Sequence, residues 1–140
     1  MQVNTERGII MSELIMTISV TTYGSQMLEG QNSKVVMIPF SADATGKYFN
    51  GKTIKNGVDT QTTTKDGFSL SARYMLEGTD SVGRKCRLFI ENNGTSLDNC
   101  KPKIYTDSRE LAFLEDAALT ANVECTENGV TVRIYNSKEQ

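Results

Sequence analysis

The chain has 140 residues, of which 38% are hydrophobic and 23% charged, and this composition suits one domain with its own core. Its formal net charge is -2 and its Lys and Arg residues are scattered, which argues against nucleic acid because phosphate binding needs clustered cations. The absence of histidine excludes Ser-His-Asp triads and every histidine-based metal site. We therefore expect no nucleic-acid partner, no metal and no cofactor.

The N-terminal region contains two short apolar clusters that Ser12-Glu13 separates. No run approaches the roughly 18 apolar residues of a membrane span, and the unbroken apolar segment of a signal peptide is missing. We therefore expect a cytoplasmic protein with no membrane partner. Residues 1–12 are predicted to form a flexible extension, residues 13–136 a single domain and residues 137–140 a tail.

The three cysteines, Cys86, Cys100 and Cys125, form no C-x-x-C pair. An odd number of cysteines without a secretory signal indicates reduced thiols. Cys86 and Cys125 lie in apolar strand patterns and are predicted to be core residues. Cys100 lies in a polar segment, where a reactive thiol is an alternative.

β-Favouring segments and turn signals alternate along the domain in a regular rhythm. Strands are predicted, in chain order, over residues 13–22, 34–40, 48–50, 52–54, 58–64, 68–77, 85–92, 104–106, 119–125 and 129–135. Loops are predicted over residues 23–33, 41–47 and 93–103. This rhythm predicts an all-β sandwich or barrel.

Five dipeptides carry the residues that type I′ hairpin turns favour, because Asn, Asp and Gly tolerate a positive φ. They are Asn50-Gly51, Asn56-Gly57, Asp66-Gly67, Asn93-Gly94 and Asn128-Gly129. A short helix is predicted near residues 107–114, with Asp107 as its cap and Glu110 at the capping-box position.

The segments 68–77 and 85–92 are predicted to form a hairpin with strict alternation. One face carries Leu70, Ala72, Tyr74 and Leu76 on the first strand, and Cys86, Leu88 and Ile90 on the second. The period of two predicts that this apolar set faces inward and that Arg73 faces outward.

A set of short motifs in fixed order resembles a known family. The motifs are Met37-Ile38-Pro39, Gly51, Asn56-Gly57-Val58-Asp59, Ala72-Arg73-Tyr74, Glu77-Gly78-Thr79-Asp80, Ile90-Glu91-Asn92-Asn93-Gly94 and a terminal Gly-Val-x-x-x-x-Tyr at 129–135. Their spacing resembles that of small microbial proteins with the domain of unknown function numbered three-two-three-seven. The resemblance implies a closed antiparallel β-barrel of the calycin (lipocalin-like) kind, with about eight or more strands, and no established activity. Many members carry Gly-Gly-x-Asp-Trp where this chain has Thr60 in the last position, so that one aromatic wall is missing.

The first functional hypothesis is a protein that binds a small, partly apolar molecule in the barrel or at its mouth. A barrel of about eight strands is just wide enough for packed side chains or one small ligand. Tyr74, Leu76, Leu88 and Ile90 are predicted to line the lumen. The alternative is a solid core made of the same residues.

Asp59 and Arg73 are the polar pair of interest at this site. Arg73 could bind a ligand carboxylate with Asp59 orienting it, or the two could form a surface ion pair worth roughly 0–1 kcal/mol. Arg73 and Tyr74 are adjacent, so both reach one pocket only if a bulge intervenes or the lumen is polar. The candidate ligand-binding residues are Asp59, Arg73, Tyr74, Glu77, Glu91 and Asn93.

Two further hypotheses remain open. Glu77, Asp80 and Glu91 bracket the hairpin, and paired carboxylates can serve as acid and base in an isomerase, lyase or hydrolase. No nucleophile–base pair accompanies them. The other hypothesis is a self-associating protein with a filled core, and a homodimer would be the commonest form.

Overall fold

The computed structural model describes the backbone of residues 2–5 and 8–139 and the side chains of residues 12–137. The strands of these residues are β1 (Gln2–Thr5), β2 (Gly8–Thr22), β3 (Gln26–Glu29), β4 (Ser33–Thr45), β5 (Phe49–Thr53), β6 (Gly57–Thr64), β7 (Gly67–Asp80), β8 (Lys85–Ser96), β9 (Asn99–Thr106), β10 (Leu119–Cys125) and β11 (Gly129–Glu139). A 3₁₀ turn covers Ala112–Glu115.

The strands close into an eight-strand antiparallel β-barrel, which confirms the predicted fold class. The circuit runs β2-β11-β10-β9-β8-β7, continues through β5 and β6, and returns through β4 to β2. β5 and β6 occupy one position in this circuit, because each of them pairs with both β7 and β4. β1 pairs with β2, and β3 pairs with the first part of β4.

Two segments predicted as loops, residues 41–47 and 93–103, are largely strand, and the third, residues 23–33, contains a short strand. β4 continues through residues 41–45, where it pairs with β2. β8 continues through Asn93-Gly94, and β9 already begins at Asn99. β3 lies within the predicted loop over residues 23–33. The prediction was wrong because outward-facing polar residues on a barrel strand resemble a loop, although their backbones pair fully.

The turn type predicted for the five dipeptides is wrong, although Asp66-Gly67 and Asn128-Gly129 do lie where β6 connects to β7 and β10 to β11. Among the described residues, only Gly67 and Gly83 have a positive φ, of 127° and 81°, and no Asn or Asp does. Asn50-Gly51 and Asn93-Gly94 lie inside β5 and β8. The turn between β7 and β8 depends instead on Asp80, whose Oδ1 accepts hydrogen bonds from the backbone N–H groups of Val82 and Arg84 at 3.1 and 3.0 Å.

The predicted helix near residues 107–114 is reduced to the 3₁₀ turn. Asp107 does not cap it, because Asp107 Oδ1 accepts the backbone N–H of Arg87 at 2.8 Å. Ser108 Oγ instead accepts the N–H of Leu111 at 3.3 Å and donates to Asp80 Oδ2 at 2.9 Å. Leu111 and Leu114 are buried in the core.

The core follows the predicted alternation along β7 and β8. Leu76, Leu88 and Ile90 are fully buried, and Leu70 and Tyr74 are nearly so. Their outward neighbours alternate with them along both strands. The apolar face of this hairpin is therefore the inside of the barrel.

Two of the cysteine predictions are reversed. Cys100 is buried, because it begins the inward series of β9, whereas Cys125 is exposed at the end of β10. Cys86 is buried as predicted, and burial raises the pKa of its thiol to about 11. Burial also raises the pKa of Cys100.

Two glycines permit an unusually close approach of β5 to β7. Gly51 and Gly78 are register partners. A Cβ at Gly78 would overlap the carbonyl oxygen of Asn50 and would crowd the Cα of Gly51. The obstacle is backbone, which cannot turn aside as a flexible side chain can.

We expect Gly78→Ala to lower the free energy of unfolding by about 1–3 kcal/mol, because the strands must separate to admit the methyl group. The measurement is urea denaturation. Gly24→Ala is the control and should change stability by less than about 0.5 kcal/mol, since nothing lies within 4 Å of its added Cβ. Equal stability of the two variants would contradict the close approach.

We expect Cys125 to react with a thiol reagent in the folded protein at least about a hundredfold faster than Cys86 and Cys100, which are protected by burial. The rate of thiolate release from Ellman's reagent measures this difference. Cys125→Ser should remove the fast phase and leave the other two thiols to react only after unfolding. A fast phase that survives this substitution would show that a buried cysteine is accessible.

Candidate functional site: a cavity with two unpaired oxygens

A cavity of about 120 Å³ lies inside the barrel, towards the end that Leu70 and Asn92 mark. Most of its wall is apolar, and its side chains include Val20, Phe40, Leu70, Ala72, Val130 and Val132. Its polar groups come from Thr22, Asp59, Gln61, Tyr74 and Asn92. The cavity thus combines a hydrocarbon wall with a few polar groups, as is typical of small-molecule sites.

Barrel alternation explains how the polar groups reach the inside. Asp59 and Gln61 are two residues apart on β6 and share its inner face. Asn92 continues the inward series of β8 after Ile90. Asp59 is the register partner of Ala72, and Ala72 is the register partner of Asn92. The three residues therefore form a row across β6, β7 and β8, and the small Ala72 side chain leaves space between the two polar ones.

Two oxygen atoms in this row are buried without a hydrogen-bond partner among the described residues. They are Asp59 Oδ1 and Asn92 Oδ1. The other carboxylate oxygen, Asp59 Oδ2, accepts a hydrogen bond from Gln61 Nε2 at 3.0 Å. An unsatisfied buried polar atom costs roughly 1–3 kcal/mol, so such atoms in native proteins point to a strained site or an absent partner.

Within the part of the chain whose side chains are described, Asp59 is the one charged residue that lines the cavity. Burial raises the pKa of its carboxyl group, and the hydrogen bond from Gln61 partly opposes that shift. The titratable neighbours lie on β7 and β9. Burial raises the pKa of Tyr74, and it also raises the pKa of Cys100, which the charge of Asp59 raises further. Tyr74 and Cys100 are therefore both neutral at neutral pH. None of the described side chains that line the cavity places a cation beside the Asp59 carboxylate.

Tyr74 and Phe40 form the aromatic part of the wall. Their ring centroids are 5.1 Å apart and the rings are inclined at 74°, which is an edge-to-face arrangement. Such pairs contribute roughly 0.5–1.5 kcal/mol beyond the area that they bury. Tyr74 is only 5% exposed, so the pair holds this part of the cavity wall in place.

Arg73 lies on the outer face of the barrel and does not contact Asp59. Its Nε is 3.0 Å from Glu91 Oε2, and its side chain is 66% exposed. β7 and β8 are regular strands here, so Arg73 and Tyr74 point in opposite directions. Asn93 joins the same outer cluster, because its Nδ2 donates to Glu91 Oε1 at 2.9 Å and its Oδ1 accepts from Ser71 Oγ at 2.7 Å.

Glu77 also lies outside the cavity. Its carboxylate contacts Arg87 Nε at 3.0 Å and Lys85 Nζ at 3.5 Å. The hydrogen bond from Arg87 and the charges of both cations hold the pKa of Glu77 below its ordinary value. Of the six candidate ligand-binding residues, Asp59 and Tyr74 line the cavity, and Arg73, Glu77, Glu91 and Asn93 do not.

Asp80, proposed as part of a catalytic carboxylate pair, stabilises the β7–β8 turn. Burial tends to raise the pKa of its carboxyl group, but hydrogen bonds from the Arg84 N–H, the Ser108 hydroxyl and the Val82 N–H outweigh this effect and lower it. Asp80 does not line the cavity, and neither do Glu77 and Glu91. The three carboxylates therefore do not meet at the cavity.

Two residues that line the cavity were not predicted from the sequence. Gln61 and Asn92 were not selected, although the period of two places both on inward faces. Leu76, Leu88 and Ile90 were predicted to line the lumen, but they fill the opposite part of the barrel and are fully buried. The predicted lumen residues are therefore core residues, and the cavity lies at the other end of the barrel.

The described residues contain neither a cluster of metal ligands nor a helix that could cross a membrane. Within residues 12–137, no three His, Cys, Asp or Glu side chains lie close enough to hold a metal ion. No helix in the described part of the chain has the length and apolar character that crossing a membrane requires.

The fold and cavity define a small single-barrel protein with an internal pocket. No protein-family model matches the chain, and comparison with curated proteins gives no match. Solved structures do share the fold. One is a protein of unknown function from Clostridium acetobutylicum, with 21% identity and a TM-score of 0.77, covering 92% of this chain and 97% of that chain.

A β-barrel-like protein from Acinetobacter baumannii is 19% identical, with a TM-score of 0.74, covering 92% of this chain and 96% of that chain. An enzyme from Penicillium herquei is 13% identical, with a TM-score of 0.70, covering 92% of this chain and 95% of that chain. At these identities the likeness concerns the barrel fold and not the activity.

We expect wild-type stability to fall relative to Asp59→Asn as the pH rises from about 4 to about 7. The folded state holds the Asp59 proton more tightly than the unfolded state, because burial raises its pKa. That contribution is complete below the unfolded pKa and is lost as the pH rises through the folded pKa. Asparagine stays neutral throughout, so the difference between the two proteins isolates Asp59 from other titrating groups.

Urea denaturation of both proteins at each pH measures this difference. A difference that does not change with pH would show that the Asp59 carboxylate is fully solvated.

Proposed function

We propose that this protein binds a small, partly apolar molecule in the cavity of the barrel. The observation that carries the proposal is the pair of buried oxygens, Asp59 Oδ1 and Asn92 Oδ1, which lack hydrogen-bond partners among the described residues and lie in a mostly apolar wall. A ligand that donates hydrogen bonds would satisfy them, and its hydrocarbon part would fill the remaining space. A cavity of 150 Å³ with apolar walls holds benzene, so about 120 Å³ suits a slightly smaller molecule.

An enzyme that uses paired carboxylates is supported less well. Acid–base chemistry of that kind needs two carboxyl groups at the substrate. Among the described side chains that line the cavity, Asp59 is the only carboxylate. The Penicillium herquei enzyme shares the barrel, but a shared fold hosts many functions and does not transfer an activity.

The proposal extends to the family and the location of the protein. The ordered motifs from Met37 to Tyr135 support membership of the family with the domain of unknown function numbered three-two-three-seven, and a calycin-type barrel. The unpaired cysteines and their spacing support a cytoplasmic location. A homodimer stays a prediction from the general frequency of symmetric dimers.

We expect Ala72→Leu to abolish ligand binding, because the larger side chain would occupy the space between Asp59 and Asn92. Protein-observed NMR titrations would use alcohols, amines, acids and hydrocarbons of about four to six non-hydrogen atoms, a size that the cavity sets. Wild type should show saturable shifts centred on the cavity residues. Ala112→Leu is the matched control and should bind like wild type, since Ala112 is exposed.

Two results would contradict this function. One is the absence of saturable binding by every compound in the set. The other is equal affinity of wild type and Ala72→Leu, which would place the binding site elsewhere on the protein.

A further inference from the structure

The charge inside the cavity is the feature that selects among small ligands. Asp59 lies in a wall that is mostly apolar, and among the side chains of residues 12–137 no Lys or Arg lines the same space. Arg73 is the cationic residue of β7, and its side chain forms an ion pair with Glu91 on the outer face of the barrel. A buried carboxylate without a cation is costly, and a ligand that brings a positive charge removes that cost.

The hydrogen-bond acceptors of the cavity also favour a positively charged ligand. Asp59 Oδ1 and Asn92 Oδ1 are both acceptors, and Asn92 is only 5% exposed. An ammonium group has three donors and no acceptor, so it complements such a site. A hydroxyl group has one donor, and a ligand carboxylate has none and would be repelled by Asp59.

The rest of the cavity restricts the size and polarity of the ligand. Val20, Leu70 and Val132 offer a hydrocarbon surface on the remaining sides. The volume of about 120 Å³ has space for a branched chain of about four or five carbons. A polyamine or an amino acid would place further charge against this apolar wall.

Building on the proposed function, we propose that the cavity binds a small aliphatic primary amine as its ammonium ion. The ammonium donates a hydrogen bond to Asp59 Oδ1, and its remaining N–H groups reach Asn92 Oδ1 directly or through one water molecule. The alkyl group packs against the apolar wall.

The test compares three ligands with the same branched four-carbon skeleton: isobutylamine, isobutanol and isobutyrate. NMR titration gives the dissociation constant of each for wild type, Asp59→Asn and Arg73→Gln. We expect isobutylamine to bind at least about tenfold more tightly than isobutanol, because a charge-assisted hydrogen bond exceeds a neutral one by about this factor. Isobutyrate should give no saturable shift.

The variants locate the source of the preference. Asp59→Asn should weaken isobutylamine binding about tenfold and change isobutanol binding by less than about twofold. Arg73→Gln is the control, since it removes a charge one residue from Tyr74 but outside the barrel. It should leave all three affinities unchanged.

Several outcomes would overturn the amine inference. Isobutanol binding as tightly as isobutylamine, or isobutyrate binding most tightly, would do so while leaving small-molecule binding intact. An unchanged amine affinity in Asp59→Asn would also do so. Failure of all three ligands to bind overturns the amine inference, and the wider ligand set with Ala72→Leu then decides the proposed function separately.

Discussion

The pairing of β2 with β4 is the constraint on which the rest of this structure depends. It runs from Thr17 opposite Thr45 to Thr22 opposite Phe40 and joins the two ends of the sheet. Closure gives every barrel strand one inner and one outer face, and the period of two then assigns each side chain to one of them. The position of Tyr74 inside and Arg73 outside follows from this geometry without further interactions.

The cavity follows from a change in the inner residues along the barrel. At one end, Leu76, Leu88 and Ile90 are fully buried in the core. At the other end the same strands present the small Ala72 and the polar Asn92, and β6 contributes Asp59. Polar side chains with unsatisfied oxygens weaken a packed core. Their presence here is understandable if the site is kept for a ligand, which is the basis of our proposals.

The alternation of residues predicted the all-β class and the inner face of the central hairpin, and the family resemblance predicted the closed barrel. Asp59 and Tyr74 are the two of the six candidate site residues that line the cavity. The sequence did not predict the length of β4, since pairing with a distant strand decides whether a polar segment is a strand. The turns predicted at the Asn-Gly pairs were wrong for the same reason. Asn93-Gly94, for example, lies inside β8. Asn92 could have been predicted, because the period of two places this polar residue on the same inward face of β8 as Leu88 and Ile90.

We propose that a ligand donates hydrogen bonds to Asp59 Oδ1 and Asn92 Oδ1, which have no partner among the described residues. A crystal structure of the protein soaked with isobutylamine tests it most directly. The account predicts the amine nitrogen within about 3 Å of Asp59 Oδ1 and the alkyl group among Val20, Leu70 and Val132. Ordered water alone beside both oxygens, with the amine absent from the cavity or bound on the outer face, would contradict it.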